Sequence, residues 1–178
     1  MQARLLLVCL GGLLLLGAGA QAADKAAIDK KVAVALSTFR EQSSAARLMD
    51  KAAGALVFPD VVELSFGIGG EYGEGALLID GKPEAYYSTA GASLGVQVGA
   101  QYKAQVILFM TDAALQDFRK SRGWKAGVDG TIALAKRGAD GAIDTNTLKA
   151  PIIGFVFSNR GFMYNLSLDG SRITPIER

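Results

Sequence analysis

The chain has 178 residues, half of them hydrophobic, with 22 Gly, 4 Pro and 8% aromatics; 19 Lys plus Arg against 17 Asp plus Glu leave a formal charge of +2. That length fits one ordinary domain with an ample core, and general disorder is excluded because hydrophobicity is high and net charge low. Histidine is absent and Cys9 is the single cysteine, which excludes Ser-His-Asp and Cys-His catalysis, zinc sites built from His and Cys, and a disulfide within the chain.

Residues 1–22 read Met-Gln-Ala-Arg, then an apolar run from Leu5 to Leu16, then small residues up to Ala22. One positive charge, a short apolar stretch and a small-x-small end, Ala20-Gln21-Ala22, are the marks of a cleavable secretory signal peptide. The run is too short and too broken by Gly11-Gly12 for a membrane span of about 20 residues. Cleavage is expected after Ala22, with Ala20 as the alternative, sending residues 23–178 to the periplasm as one domain, with a peripheral place at the envelope. Cys9 lies inside the apolar run behind bulky Leu7-Val8, so lipidation there is not expected.

From Asp24 to Arg40, Ile28, Val32, Ala35/Leu36 and Phe39 recur at helical spacing in one narrow stripe. A second helix is expected over Ser44 to Ala53, with Ser43 as N-cap and Gly54 as the stop. Short strand candidates separated by glycines follow: Ala55 to Phe58, Val61 to Ile68, and Gly75 to Ile79, closed by an Asp80-Gly81 turn. Glu84 to Thr89, Ser93 to Gln101 and Gln105 to Met110 come next. Thr111 is expected to cap a helix over Asp112 to Arg122 whose Ala114, Leu115 and Phe118 face inward. Trp124 to Ala135 reads as extended chain, Asp140-Gly141 as a turn, and Asp144 to Thr147 as a polar loop. Ile152 to Phe157 and Phe162 to Leu168 read as a hairpin through Ser158 to Gly161. After an Asp169-Gly170 turn, a last strand lies near Arg172 to Ile176.

These elements predict an α+β fold: N-terminal helices and one central helix packed on a strongly bent, Gly-rich antiparallel sheet or partial barrel. Phe66-Gly67-Ile68-Gly69-Gly70 and Leu94-Gly95-Val96-Gln97-Val98-Gly99 echo one another. Both place glycine at alternate strand positions, which permits sharp bending or the close approach of another element.

No motif here assembles a reaction. Gly67 to Gly75 lacks the glycine a dinucleotide loop needs where Tyr72 stands, and the only Gly-Lys precedes Pro83. Glu71 and Glu74 stand three apart, which in an extended strand points them to opposite faces and spoils a glycosidase pair. Asp140, Asp144 and Asn146 lack the calcium-loop pattern. Arg160-Gly161-Phe162-Met163-Tyr164 only faintly echoes an RNA-binding strand. No enzyme activity, cofactor, metal or nucleic-acid partner is therefore expected. An oxygen-based enzyme using Glu71, Glu74 or Asp129 is the weaker alternative, because no base, nucleophile and orienting partner can be named together. A small outer-membrane barrel is another alternative; the N-terminal helices and the scarcity of aromatics stand against it.

The ordered motifs Leu56-Val57-Phe58-Pro59, Gly67 to Gly75, Tyr86 to Gly91, Gly95 to Gln101, Gly123 to Asp129 and Gly161 to Leu166 resemble the SYLF lipid-binding family, described as actin-binding in its fungal members. The resemblance covers Asp24 to Arg178. It implies a non-enzymatic domain that binds lipid, with an amphipathic N-terminal helix and basic residues taking part in membrane contact. The expected partners are a phospholipid or other amphiphile and a membrane surface, with a protein partner left open. The expected contacts are Lys25, Lys30, Lys31 and Arg40 at head groups, with Ile28, Val32, Leu36 and Phe39 either inserting at the interface or covering the sheet. Arg119, Lys120, Arg122 and Lys125 form a second basic group, suited to an anionic surface or to the dipole of the helix they end. The alternative is an envelope protein of structural or interaction role without a lipid ligand.

Overall fold

The computed structural model describes residues 24–42, 46–135, 147–158, 161–163 and 168–178. In chain order the elements are α1 (Lys25–Gln42), α2 (Ala46–Met49), β1 (Gly54–Ile79), β2 (Lys82–Phe109), α3 (Asp112–Lys120), β3 (Trp124–Lys125), β4 (Ala133–Leu134), a 3-10 turn (Thr147–Lys149), β5 (Ile152–Ser158), β6 (Gly161–Phe162) and β7 (Arg172–Ile176). The fold is α+β, with few helices on a strongly curled sheet that forms a half-barrel.

The six strand candidates between Ala55 and Met110 are two strands of 26 and 28 residues. They form one antiparallel hairpin running from Gly54↔Phe109 to Ile79↔Lys82. Asp80 and Gly81 make its turn with φ of 50° and 75°; two positive values are what a two-residue type I′ turn requires. The glycine-rich echo has a spatial meaning, since its two copies pair with each other at Gly67↔Gly95 and Ile68↔Leu94.

A straight strand of that length would run about 85 Å, so β1 doubles back on itself. A Cβ added to Gly75 would lie 2.0 Å from the Val57 carbonyl oxygen, and one on Gly73 would lie 2.8 Å from that of Asp60. Because Cβ vectors leave a strand across the sheet face, the halves of β1 meet face to face. Two irregularities accompany the bend. Pro59-Asp60 oppose Ala104 alone, where a missing N–H is tolerated, and Val96-Gln97 are extra residues in β2 between Phe66↔Val98 and Gly67↔Gly95.

The remaining strands add to the two ends of β2. Its last residues pair with β5 and its first with β7, and β7 in turn carries β3. β4 joins β5 in parallel, the one departure among the described strands from the expected antiparallel sheet.

One side of the sheet is covered by α1. Ile28, Val32, Ala35 and Phe39 pack on Val57, Leu78, Val106, Ile153 and Phe155, with Phe39 edge-on to Phe155 at 5.0 Å. The helix is further tied down by the Tyr86 hydroxyl, which donates to Asp29 at 2.7 Å. The other side is covered by α3, whose Leu115 and Phe118 meet Leu56, Phe58, Leu77, Ile107 and Trp124. Phe118 stacks against Tyr87, Phe109 and Trp124 at 4.9, 4.8 and 5.8 Å, a burial that contributes about 3 kcal/mol. Thr111 accepts the Ala114 N–H as the expected N-cap. The helix stops at Lys120, two residues short of the expected end, where the Ser121 N–H bonds the Phe118 carbonyl.

The second helix is shorter than expected, ending at Met49; Gly54 opens β1, its N-terminal neighbour Ala53 already bonded to Phe109. The Ser158 hairpin is present through Ser158↔Gly161. The signal peptide, Ser43, Asp140, Asp144 and Asn146 lie outside the described residues.

Candidate functional site

The middle of the hairpin, residues 62–71 with 91–102, pairs only within itself among the described residues. It is a two-stranded arch with an unusual polarity. Within the arch the large side chains at even-numbered positions of β1 point outward: Leu64 is 51% exposed, Phe66 74%, Ile68 77% and, at its edge, Tyr72 51%. Tyr102, paired with Val62, shares that outward face and is 67% exposed. Among the described residues, five of the eight exposed large hydrophobic residues therefore fall on one side of one ribbon. Odd-numbered positions face the inside of the bend, and these carry the charges.

There Lys103 lies between two carboxylates, 2.7 Å from Glu71 and 3.0 Å from Glu63. All three side chains are largely shielded. The Ser171 hydroxyl donates to the second oxygen of Glu71 at 2.9 Å. Burial by itself pushes the Lys103 ammonium down, but the hydrogen bonds and charges of Glu71 and then Glu63 outweigh it and hold the group above its ordinary 10.5. Lys103 is thus a fixed cation that ties the two limbs of the arch together.

Glu74 belongs to a separate group: it accepts from the Tyr72 hydroxyl at 2.8 Å and from Arg178 at 2.6 Å. The opposite-face reading of Glu71 and Glu74 holds, and neither carboxylate is paired with the other. Among the described residues no group of three or more His, Cys, Asp or Glu could hold a metal ion, and no described helix is long and apolar enough to cross a membrane.

The two roles given to the α1 stripe are resolved by burial. Ile28, Val32 and Phe39 are at most 2% exposed, so they cover the sheet and are withdrawn as membrane contacts; Leu36 is half-buried beside them. The cations stay at the surface. Lys25 sits over the Tyr86 ring at 5.6 Å, Lys31 pairs with Asp60 at 2.9 Å, and Lys30 has no ion-pair partner among the described residues. Lys30 and Lys31 border a groove of about 600 Å³ between α1 and the sheet, which Tyr102 also lines. Arg40 lies on the other flank of α1, at a second cleft of about 680 Å³ shared with Glu41, Asp50 and Asp80. The structure therefore brings Lys30 and Lys31 together and separates Arg40 from them.

Arg119 pairs with Glu84 across to β2, and Lys120 lies 4.0 Å from Asp117. Arg122 and Lys125 are exposed. This group spans the end of α3, with Arg119 and Lys120 in its last turn and Arg122 and Lys125 just beyond it, on the sheet side opposite α1.

Residues 90–177 match the family model Ysc84, described as Las17-binding protein actin regulator. Over that span the chain belongs to the Ysc84, or SYLF, family. No curated protein matches the chain. The Ysc84 family is one of binding domains, associated with lipid or actin binding. The Ysc84 match takes in most of β2, α3 and the strands after it, so Lys103 and Tyr102 lie inside it; α1 and β1, with Glu63, Glu71 and the outward apolar row, precede it.

The apolar row was not singled out from sequence. Its signal is present in Leu64-Ser65-Phe66-Gly67-Ile68, where large apolar residues alternate with Ser and Gly. Alternation reveals that the two faces differ, but which one turns to solvent depends on the bend.

Proposed function

We propose that this is a non-enzymatic, exported protein that associates with lipid at a membrane surface in the periplasm. The observation that carries the reading is the inverted polarity of the arch: its inner face holds Glu63, Glu71 and Lys103, and its outer face presents Leu64, Phe66 and Ile68 to solvent. A row of large apolar side chains on a protruding element is costly in water and marks an interaction surface. Tyr72 and Tyr102 flank the row, and aromatic rings with a polar tip suit the level of lipid head groups. Tyr102 also borders the groove beside Lys30 and Lys31, so cations for anionic head groups adjoin the apolar row. The leader-like residues 1–22 support export.

Cosedimentation with vesicles tests the reading. Folded protein is expected to pellet with phosphatidylglycerol-containing vesicles, more strongly at low salt, and less with pure phosphatidylcholine. Substituting Phe66→Ser together with Ile68→Ser is expected to reduce pelleting with both. Folded wild-type protein that pellets with neither vesicle at either salt concentration overturns the proposal.

A further inference from the structure

The groove between α1 and the sheet has a chemistry of its own. Its helical wall is a single stripe, Ala27, Lys30/Lys31, Val34/Ala35 and Thr38, and the 11 steps from Ala27 to Thr38 span about 16 Å along the helix axis. Opposite lie Pro59, Ala104 and Phe157. Ala35, Ala104 and Phe157 are buried, so the floor is apolar, and Val34 stands 61% exposed along the wall. Lys103 adds only the stem of its side chain, because its ammonium is turned away to Glu63 and Glu71. Thr38 likewise satisfies itself, its hydroxyl donating to the Val34 carbonyl at 3.1 Å. The volume of about 600 Å³ falls within the range of about 300–1,000 Å³ typical of small-molecule sites.

The charges at the mouth are unequal. Among the described residues Asp60 is the one carboxylate lining the groove, and it is engaged by Lys31 at 2.9 Å, which leaves Lys30 without a counter-charge among them. An elongated apolar trough with a net positive rim is complementary to a single-chain amphiphile with an anionic head. A peptide would bring backbone polar groups for which the floor offers no partners.

We infer that this groove binds one molecule of a single-chain anionic amphiphile, its tail along the α1 stripe from Ala27 to Thr38 and its head at Lys30 and Lys31. This site differs from the outer face of the arch: it takes a dispersed molecule, where the arch meets a bilayer.

Isothermal titration with monomeric dodecyl phosphate tests the inference. One molecule is expected to bind per chain, with inorganic phosphate giving no heat and dodecyl maltoside binding more weakly. Val34→Trp fills the groove from its exposed wall and is expected to abolish binding. Lys30→Glu is expected to weaken dodecyl phosphate by about fivefold or more while leaving the maltoside unchanged. No binding by folded wild-type protein, several molecules per chain, or binding unaltered in both variants overturns the inference. If Val34→Trp loses its near-ultraviolet circular dichroism, the Lys30→Glu comparison decides. The Phe66→Ser/Ile68→Ser protein keeps its dodecyl phosphate site, so failure of the groove and failure of the bilayer reading are separately visible.

Discussion

The Lys103 ammonium lies 2.7 Å from Glu71 and 3.0 Å from Glu63, three residues drawn from both strands of one hairpin and sealed inside its bend. Removing the cation strands two like charges in a shielded space, where the loss of one partner of a buried pair costs several kcal/mol. Lys103→Met is expected to destabilise the protein by about 3 kcal/mol in denaturant unfolding, and Glu63→Gln, at the more open end, by less. A Lys103→Met protein as stable as wild type would show that the cluster is not what holds the arch.

The same cluster sets a response to alkali. Neighbouring carboxylates raise Lys103 above 10.5 in the folded state, so its stabilising contribution is complete below 10.5 and is lost as pH rises through the folded value. Tyr86 acts in the same direction. Burial first, and then its hydrogen bond to Asp29, push its hydroxyl up to about 12. Above pH 10 the unfolded tyrosine ionises while the folded one does not, and stability declines until pH about 12. Tyr86→Phe is expected to cost about 1 kcal/mol at neutral pH, to flatten the decline between pH 10 and about 12, and to remove one late-ionising tyrosine from a spectrophotometric titration.

Face-to-face contact of the two halves of β1 makes one glycine indispensable. Gly75→Ala would drive a methyl group to 2.0 Å from the Val57 oxygen, and backbone cannot yield as a side-chain tip does. A loss of about 3 kcal/mol or more in chemical unfolding is expected. Gly70→Ala is the control: its nearest neighbour would be the Gly91 oxygen at 3.6 Å, and a change within about 0.5 kcal/mol is expected. Equal effects at the two positions would contradict the doubled strand.

Exposure at Phe66 and Ile68 predicts that function and stability separate there. Phe66→Ser and Ile68→Ser are expected to leave unfolding free energy within about 0.5 kcal/mol of wild type while lowering vesicle binding. A large loss of stability would mean that the row is packed in the free protein.

Local signals carried much of the fold. Helical spacing located α1 and its buried stripe, Thr111 announced α3, and Asp80-Gly81 and Asp169-Gly170 marked real turns. The number of strands was not legible in the same way. Gly67, Gly69, Gly70 and Gly73 punctuate the sequence as breaks would, yet in space they let a continuous ladder curve. At the candidate site, the surface lysines of α1 were visible from charge alone. The Lys103 cluster was not, because Glu63, Glu71 and Lys103 converge only once β1 has folded over itself. The outward row was hidden for the same reason: without the bend, Leu64, Phe66 and Ile68 read as ordinary core.

One hairpin supplies strands to both of the protein's hydrophobic clusters, so neither half can loosen alone. Freeing the α1 side disturbs residues such as Val57 and Leu78, whose immediate neighbours Leu56, Phe58 and Leu77 anchor the α3 side. Melting of the two sides is thereby mechanically linked through a shared backbone, and a single cooperative unfolding event is the expected outcome.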